Sequence, residues 1–151
     1  MGPQELWAAV VAAEREVTQS RAHFHQRATS RPEILAEALN GSRWEKAAAL
    51  SFLQSLPDDV PILLGQLVGL AMSSGWALSA RRTIASGQRS VVLPALDTLV
   101  RARLSEADAD EYRRLAELLH HIQALDTLGA LVQAALVSGD AETIEVGQDF
   151  Q

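Results

Sequence analysis

The 151 residues of this chain carry a net charge of −6 and include no cysteine. The lack of cysteine excludes disulfide bonds and thiol chemistry, and the acidic balance disfavours nucleic acid as a partner, because phosphate-binding chains usually carry a basic excess. No apolar run approaches the ~18 residues of a membrane-spanning helix, and the N-terminus lacks the pattern of a signal peptide. We therefore expect a cytoplasmic protein without membrane contact.

The composition is typical of closely packed helices. Ala and Leu dominate a chain that is 48% apolar, and β-branched residues stand mostly in ones and twos inside helical patterns. Twelve Arg against the single Lys46 are typical of a GC-rich bacterial genome. We predict one all-α domain over residues 1–151.

Residues 1–41 predict an N-terminal helical cap. An apolar stripe with alternating spacings of four and three indicates one long helix over residues 4–28. The stripe consists of Leu6, Val10, Ala13, Val17, Ser20 and Phe24. Ser30 and Glu33 have the spacing of a capping box and predict a short helix that ends near Leu39, and Asn40-Gly41 then tolerate the positive φ that stops it.

Residues 42–137 predict three consecutive helix pairs. A capping box at Ser42 begins the first helix and Pro57 ends it. The six predicted helices cover residues 43–56, 60–72, 76–86, 90–104, 110–122 and 124–137. Asp58-Asp59 would place carboxylates at the positive N-terminal end of the second helix, and one more helix follows Gly139.

An apolar helix start recurs about every 32 or 33 residues. Its three copies are Val60-Pro61-Ile62-Leu63, Leu93-Pro94-Ala95-Leu96 and Leu125-Asp126-Thr127-Leu128. Asp108 and Asp140 begin two other helices at the same distance from each other. A helical repeat of this period predicts an α-solenoid, in which each unit buries its apolar face only against its neighbours.

The chain from about Arg43 to Phe150 resembles HEAT and HEAT-like (ARM-type) repeats. The matching parts are residues 44–50, residues 53–64, and the Arg-Arg pairs at 81–82 and 113–114. The resemblance implies an α-solenoid of antiparallel helix pairs. About three repeats and a trailing half-repeat would occupy residues 42–151, behind the long N-terminal capping helix.

Such a stack is typical of a non-enzymatic protein-binding module or adaptor, and one specific version is an inhibitor or immunity-type protein. Solenoids bind partners on the concave face, where the candidate partner-binding residues are Gln66, Asp97, Arg101, Asp126 and Gln133. The partner would be a protein of unknown identity. Uneven charge gives a second candidate, a basic patch that comprises Arg81, Arg82, Arg89, Arg101 and Arg103. The alternative interpretation of these arginines is salt bridges between repeats and solvated helix faces.

Two alternatives remain at this point. Trp7, Trp44 and Trp76 have the residue type of a base-stacking surface, as in HEAT-like alkylbase DNA glycosylases, with Asp97 or Asp126 as the acid. The simpler interpretation is that each tryptophan packs at a helix start on the neighbouring unit.

A second alternative is a homodimer through the C-terminal edge. Ile144, Val146 and Phe150 look insufficiently covered there, and a terminal repeat normally needs a polar outer face. The histidine pairs 23/25 and 120/121 diverge on their helices, so we predict no metal site, no cofactor and no catalytic residue.

Overall fold

The computed structural model describes all residues from Met1 to Gln151 as nine α-helices and one short 3-10 helix, without a strand. This confirms the all-α class. The helices are α1 Pro3–Arg27, α2 Arg31–Leu39, α3 Arg43–Ser55, α4 Leu64–Ala71, α5 Ala77–Ser86, α6 Arg89–Leu104, α7 Ala109–His121, α8 Leu125–Leu136 and α9 Ala141–Asp149. None of them combines the length and hydropathy that crossing a membrane requires.

Short polar side chains set three of the helix starts. The side chains of Ser42, Asp108 and Asp140 each accept a hydrogen bond from the backbone N–H three residues later, at the beginning of α3, α7 and α9. These contacts satisfy donors that have no partner within the helix, and they confirm the three predicted starts. Ser30 makes no such bond, so the capping box predicted there is wrong.

The segment before α4 differs from the prediction. Residues 57–59 form the 3-10 helix and residues 60–63 a turn, in which the Leu63 N–H is shared between the carbonyl oxygens of Asp59 and Val60. Pro61 has no N–H to donate to a regular helix. The helix therefore begins at Leu64 instead of Val60, and the three repeat copies differ in place: before α4, inside α6 and at the start of α8.

One continuous hydrophobic core runs from Leu35 in α2 to Val146 in α9. Most helices pack against the next helix along the chain or the one after it, as α3 does with α5 and α7 with both α8 and α9. Glycine permits one close approach in this core. A Cβ on Gly87 would lie 2.7 Å from a methyl group of Val92 and 2.9 Å from one of Val60.

Side-chain hydrogen bonds between distant parts of the chain have a narrow range of sequence separation. Every side-chain hydrogen bond that spans more than eight residues joins residues 25 to 36 positions apart. Examples are Gln54 to Thr83 at 3.0 Å and Thr127 to Asp97 at 2.7 Å. Each segment is thus bonded to one about 30 residues away along the chain.

The C-terminal edge is covered. Val146 is buried, Ile144 is half-buried, and the half-buried Phe150 packs its ring edge-on against His120 with centroids 6.4 Å apart. The expectation that these three side chains lack cover is therefore wrong, because α9 packs on both α7 and α8. This removes the observation on which the predicted C-terminal homodimer rested.

Candidate functional site

Helix α1 is the least covered part of the molecule. None of its residues is buried, and from Met1 to Ser20 every residue is exposed except the half-buried Val11. The exposed fractions of Leu6, Trp7, Val10 and Val17 are 53%, 68%, 49% and 41%. The predicted apolar stripe therefore exists, but most of it faces solvent. Contiguous exposed apolar patches of this kind usually mark interaction sites.

The last turns of α1 hold the helix on the body of the protein. The ring of Phe24 packs edge-on against Phe52 of α3, with centroids 5.1 Å apart. The Nε2 atom of His25 lies 2.7 Å from a carboxylate oxygen of Asp58. Since every α1 residue before Arg21 is exposed except the half-buried Val11, the first five turns of α1 bury little surface against the body and form the projecting part of the helix.

A partly buried ion pair fixes the junction between α1 and the rest of the chain. Arg31, at the start of α2, donates two hydrogen bonds to the carboxylate of Asp59 and a third to the backbone carbonyl of His25. Only 7% of the Asp59 side chain is exposed. Hydrogen bonding to Asp59 raises the pKa of the Arg31 guanidinium above its usual range. The direction in which α1 leaves the body is thus set by a charged pair, and the predicted role of Asp59 at the N-terminus of α4 is wrong.

A groove of about 740 Å³ lies between α1 and the neighbouring helices α2 and α3. Ten of its fifteen lining residues are hydrophobic. The α1 wall includes Ala13, Val17, Ser20 and Phe24, and the opposite side includes Leu35, Ala38, Trp44, Ala47, Ala48 and Phe52. Small alanines leave the space open, and the charged lining residues are Glu16, Arg21 and Glu45.

The exposed tryptophans belong to this end of the molecule. Trp44 lines the groove and is 85% exposed, and Trp7 lies on the projecting part of α1. The expectation that each tryptophan packs at its helix start is therefore wrong for these two. Trp76 differs, because it is half-buried and lies 6.0 Å, centroid to ammonium, from Lys46.

Three of the five predicted concave-face residues lie together elsewhere. Asp97, Arg101 and Asp126 line a second depression of about 600 Å³ between α6 and the start of α8. Gln66 is apart from them, where its side chain donates to the carbonyl of Ala36 at 2.9 Å. Gln133 is exposed on α8 and lies outside the depression.

Within this second depression, Asp97 accepts hydrogen bonds from Arg101 at 2.9 Å and from Thr127 at 2.7 Å. The two bonds stabilise the carboxylate and lower the pKa of Asp97 below its usual 3.8. Asp97 and Arg101 are thus paired with each other, and Arg89 donates to backbone carbonyls. Asp126 is the charged residue of the depression without a side-chain bond.

The five predicted patch arginines have separate contacts. Arg81 pairs with Glu117 at 2.6 Å, Arg101 pairs with Asp97, and Arg103 approaches the sulfur of Met72 at 3.5 Å. Arg89 bonds to the backbone carbonyls of residues 122 and 123, and Arg82 is exposed without a salt bridge. Four of the five therefore already have a partner within the chain.

Arg89 supports an unusual end of helix α7. Gln123 is the only non-glycine residue with a positive φ, at 59°, and the backbone N–H groups of Gln123 and Ala124 bond back to His120 and Leu119 at 3.2 and 2.9 Å. This is a Schellman motif with glutamine at the position that glycine usually occupies. Arg89 donates to the Gln123 carbonyl at 2.8 Å and so holds the strained residue from α6.

The comparisons give no relative from which a function can be taken. The chain matches no protein-family model, no curated protein and no solved structure at a significant level. No three His, Asp or Glu side chains converge in a group that could hold a metal ion. The groove beside α1 is the site whose composition and exposure point most directly to a ligand.

Proposed function

We propose that this protein is a non-enzymatic protein-binding module that takes an amphipathic helix of a partner into the groove between α1 and α3. One observation carries the proposal. An exposed apolar stripe on α1 continues into an open apolar groove of about 740 Å³. Helix-in-groove recognition uses this combination, because apolar side chains at i, i+3, i+4 and i+7 of the ligand helix enter such a groove together.

In this proposal the protein is a HEAT-like repeat protein, and the groove lies at the N-terminal end of its repeats. The narrow range of sequence separations, 25 to 36 residues, supports a single-file stack, because each unit of a solenoid contacts only its neighbours. Residues 42–151 would form the repeats and α1 with α2 the cap. An inhibitor or immunity-type role in a bacterial cytoplasm is the specific version of this function.

The predicted concave-face site is the competing surface for the same function. Asp97, Arg101 and Asp126 share a depression, which favours it over a site that includes Gln66 and Gln133. However, the polar groups of Asp97 and Arg101 bond to each other at 2.9 Å. A partner would have to replace that bond, and therefore the apolar groove is the better-supported surface.

A base-excision glycosylase is the second candidate, and the exposure of Trp7 and Trp44 favours it, because exposed aromatic rings can stack on bases. Its proposed acids lie elsewhere, since Asp97 and Asp126 line a depression that contains no tryptophan. Electrophoretic mobility shift at low salt separates the candidates. Salt-sensitive binding to duplex DNA would support the glycosylase, because phosphate contacts release counterions.

Selection of peptides tests the protein-binding proposal directly. A displayed library of amphipathic helical peptides is panned on the full chain at nanomolar concentration, and the enriched peptides are synthesised. We expect an i, i+3, i+4, i+7 apolar pattern among them. Ala48 is exposed and lines the groove, so Ala48→Glu should weaken their binding about tenfold or more, which corresponds to ~1.4 kcal/mol.

The matched control is Ala85→Glu on α5, which is also an exposed helical alanine and lies outside the groove. It should leave the affinities unchanged. An absence of enrichment, or peptides that bind Ala48→Glu as tightly as the wild type, would contradict the proposal.

A further inference from the structure

We propose that the helix bound in the groove is α1 of a second copy of this chain, so that two copies pair antiparallel through their projecting helices. The inference rests on the proposed function, because it names the occupant of the same groove. It starts from the structure of α1 itself. The helix is amphipathic, 25 residues long and, apart from the half-buried Val11, exposed up to Ser20. It therefore offers the kind of ligand that the groove accepts.

The spacing of the stripe suits pairing with itself. Its six positions, from Leu6 to Phe24, follow one another at four, three, four, three and four residues, and this order is the same in both directions. Two such helices can therefore pack antiparallel with apolar side chains in every layer, as in an antiparallel coiled coil. The symmetric arrangement has a twofold axis and closes with two copies.

Three antiparallel registers keep at least four stripe positions in contact. The one that pairs Val17 with Ser20 would also place Phe24 against Ala13 of the second copy, whereas Phe24 already packs on Phe52.

Charge selects between the other two registers. If Ala13 faces Val17 of the second copy, Glu14 lies beside Glu14 of the second copy and Glu16 beside its Glu16. Both pairs of carboxylates repel each other. A shift by one heptad makes Val10 face Ala13 and Leu6 face Val17. Glu14 then lies beside Trp7 of the second copy instead.

The shifted register also agrees with the contacts of the body. Phe24 stays on Phe52 and needs no second partner. The stretch from Ala13 to Ser20, which lines the groove, receives the N-terminal end of the other α1, so Leu6 of the second copy approaches the groove that contains Trp44. Both exposed tryptophans gain cover in this arrangement.

The length of the overlap sets the size of the contact. Residues 3–20 overlap over about 27 Å, at ~1.5 Å per residue. Two helix faces and two groove walls are buried together, and we expect a total near the ~1,200 Å² at which stable interfaces begin. Since each copy carries a net charge of −6, the copies repel at long range, and added salt should strengthen the dimer.

Sedimentation equilibrium of the full chain tests the proposal. We expect twice the monomer mass at micromolar concentration and a dissociation constant that falls when salt is added. Val10→Glu places two carboxylates in the apolar contact, one from each copy, and should raise the dissociation constant about 100-fold or more. Val91, on α6, is a helical valine with an exposed fraction of 45%, against 49% for Val10, so Val91→Glu is the matched control and should have no effect.

Disulfide trapping tests the register, since the chain has no cysteine of its own. The double variant Val10→Cys/Ala13→Cys should give a covalent dimer on mild oxidation. The double variant Ala13→Cys/Val17→Cys should not, because those positions face each other only in the repulsive register. The reverse result would overturn the proposed pairing.

The outcomes separate this inference from the proposed function. A chain that stays monomeric at all concentrations, or a dimer that Val10→Glu leaves intact, overturns the α1 exchange. If the selected peptides still bind such a chain and Ala48→Glu still weakens them, the protein-binding groove stands with a different partner. If the dimer forms as described but the peptides do not bind, the general helix-binding role fails and the groove serves self-association alone.

Discussion

The two terminal helices of the chain have opposite environments. Helix α9 has nine residues, packs on α7 and α8, and buries Val146 to 1% exposure. Helix α1 has 25 residues and buries none. Both sequences show apolar side chains at helical spacing. Helical periodicity therefore identifies the apolar face of a helix. Only the tertiary structure shows whether another part of the same chain buries that face.

One substitution in each terminal helix should show the difference in burial as a difference in the free energy of unfolding. Val146→Asp buries a carboxylate without a partner and should lower the free energy of unfolding by about 3 kcal/mol or more. Val10→Asp, on the exposed stripe, should change it by less than about 0.5 kcal/mol. Urea denaturation followed by circular dichroism measures both, at a concentration where the chain is monomeric, since dimerisation adds stability. Equal losses at the two sites would contradict the account.

The next effect concerns the ion pair that sets the direction of α1. Asp59→Asn leaves the Arg31 charge largely buried without its counter-ion, and we expect a loss of about 3 kcal/mol in the free energy of unfolding. The control is Asp58→Asn, because the Asp58 side chain is 63% exposed and its contact should contribute at most about 1 kcal/mol. The same denaturation assay serves. A loss from Asp59→Asn no larger than that from the control would show that the pair does not hold the junction.

A smaller effect on stability is expected at the C-terminal end of α7. Gln123→Gly removes a side chain from a positive φ and should stabilise the protein by about 0.5–1 kcal/mol. The same change inside α8, Gln133→Gly, should destabilise by about 1 kcal/mol. Thermal unfolding compares the two variants with the wild type. Destabilisation by Gln123→Gly would mean that the Gln123 side chain, whose Nε2 bonds to the His120 carbonyl at 2.7 Å, outweighs the strain.

The smallest effect is a pH dependence in the second depression. Because the folded pKa of Asp97 is lowered, its carboxylate contributes stability above the unfolded value of about 3.8, and this contribution is lost as the pH falls through the folded pKa. The difference in melting temperature between the wild type and Asp97→Asn should therefore be constant from pH 7 to about pH 5 and shrink below about pH 4. A difference that grows on acidification would contradict the assignment.

Much of the helical organisation could be predicted from the sequence, because it depends on local contacts. Asp108 and Asp140 cap helices through bonds to residues three positions away, and that spacing is visible in the sequence. The start of α4 could not be predicted as well. It depends on Pro61 and on Asp59, whose carboxylate is drawn away by Arg31 from 28 residues earlier.

The candidate groove was not among the predicted sites, and only its α1 wall could be predicted from the sequence. The stripe on α1 is a local pattern, but its exposure depends on where α1 leaves the body, and Phe52, Asp58 and Asp59 determine this from the other side of the sequence. Trp44 was the one other residue of the groove that the sequence singled out, and an aromatic residue at a helix start is compatible with either packing or exposure.

The positive φ of Gln123 could not be predicted from the sequence, because the supporting Arg89 lies 34 residues away.

Hydrogen exchange of the α1 amides, followed by mass spectrometry, tests the central claim that the exposed stripe of α1 is a binding face. An uncovered helix is supported only by its own propensity and exchanges fast. We expect residues 4–20 to be protected in the concentrated wild type and to lose protection in Val10→Glu, while α9 is protected equally in both. Equal exchange of residues 4–20 in the two proteins, together with no protection by the selected peptides, would contradict it.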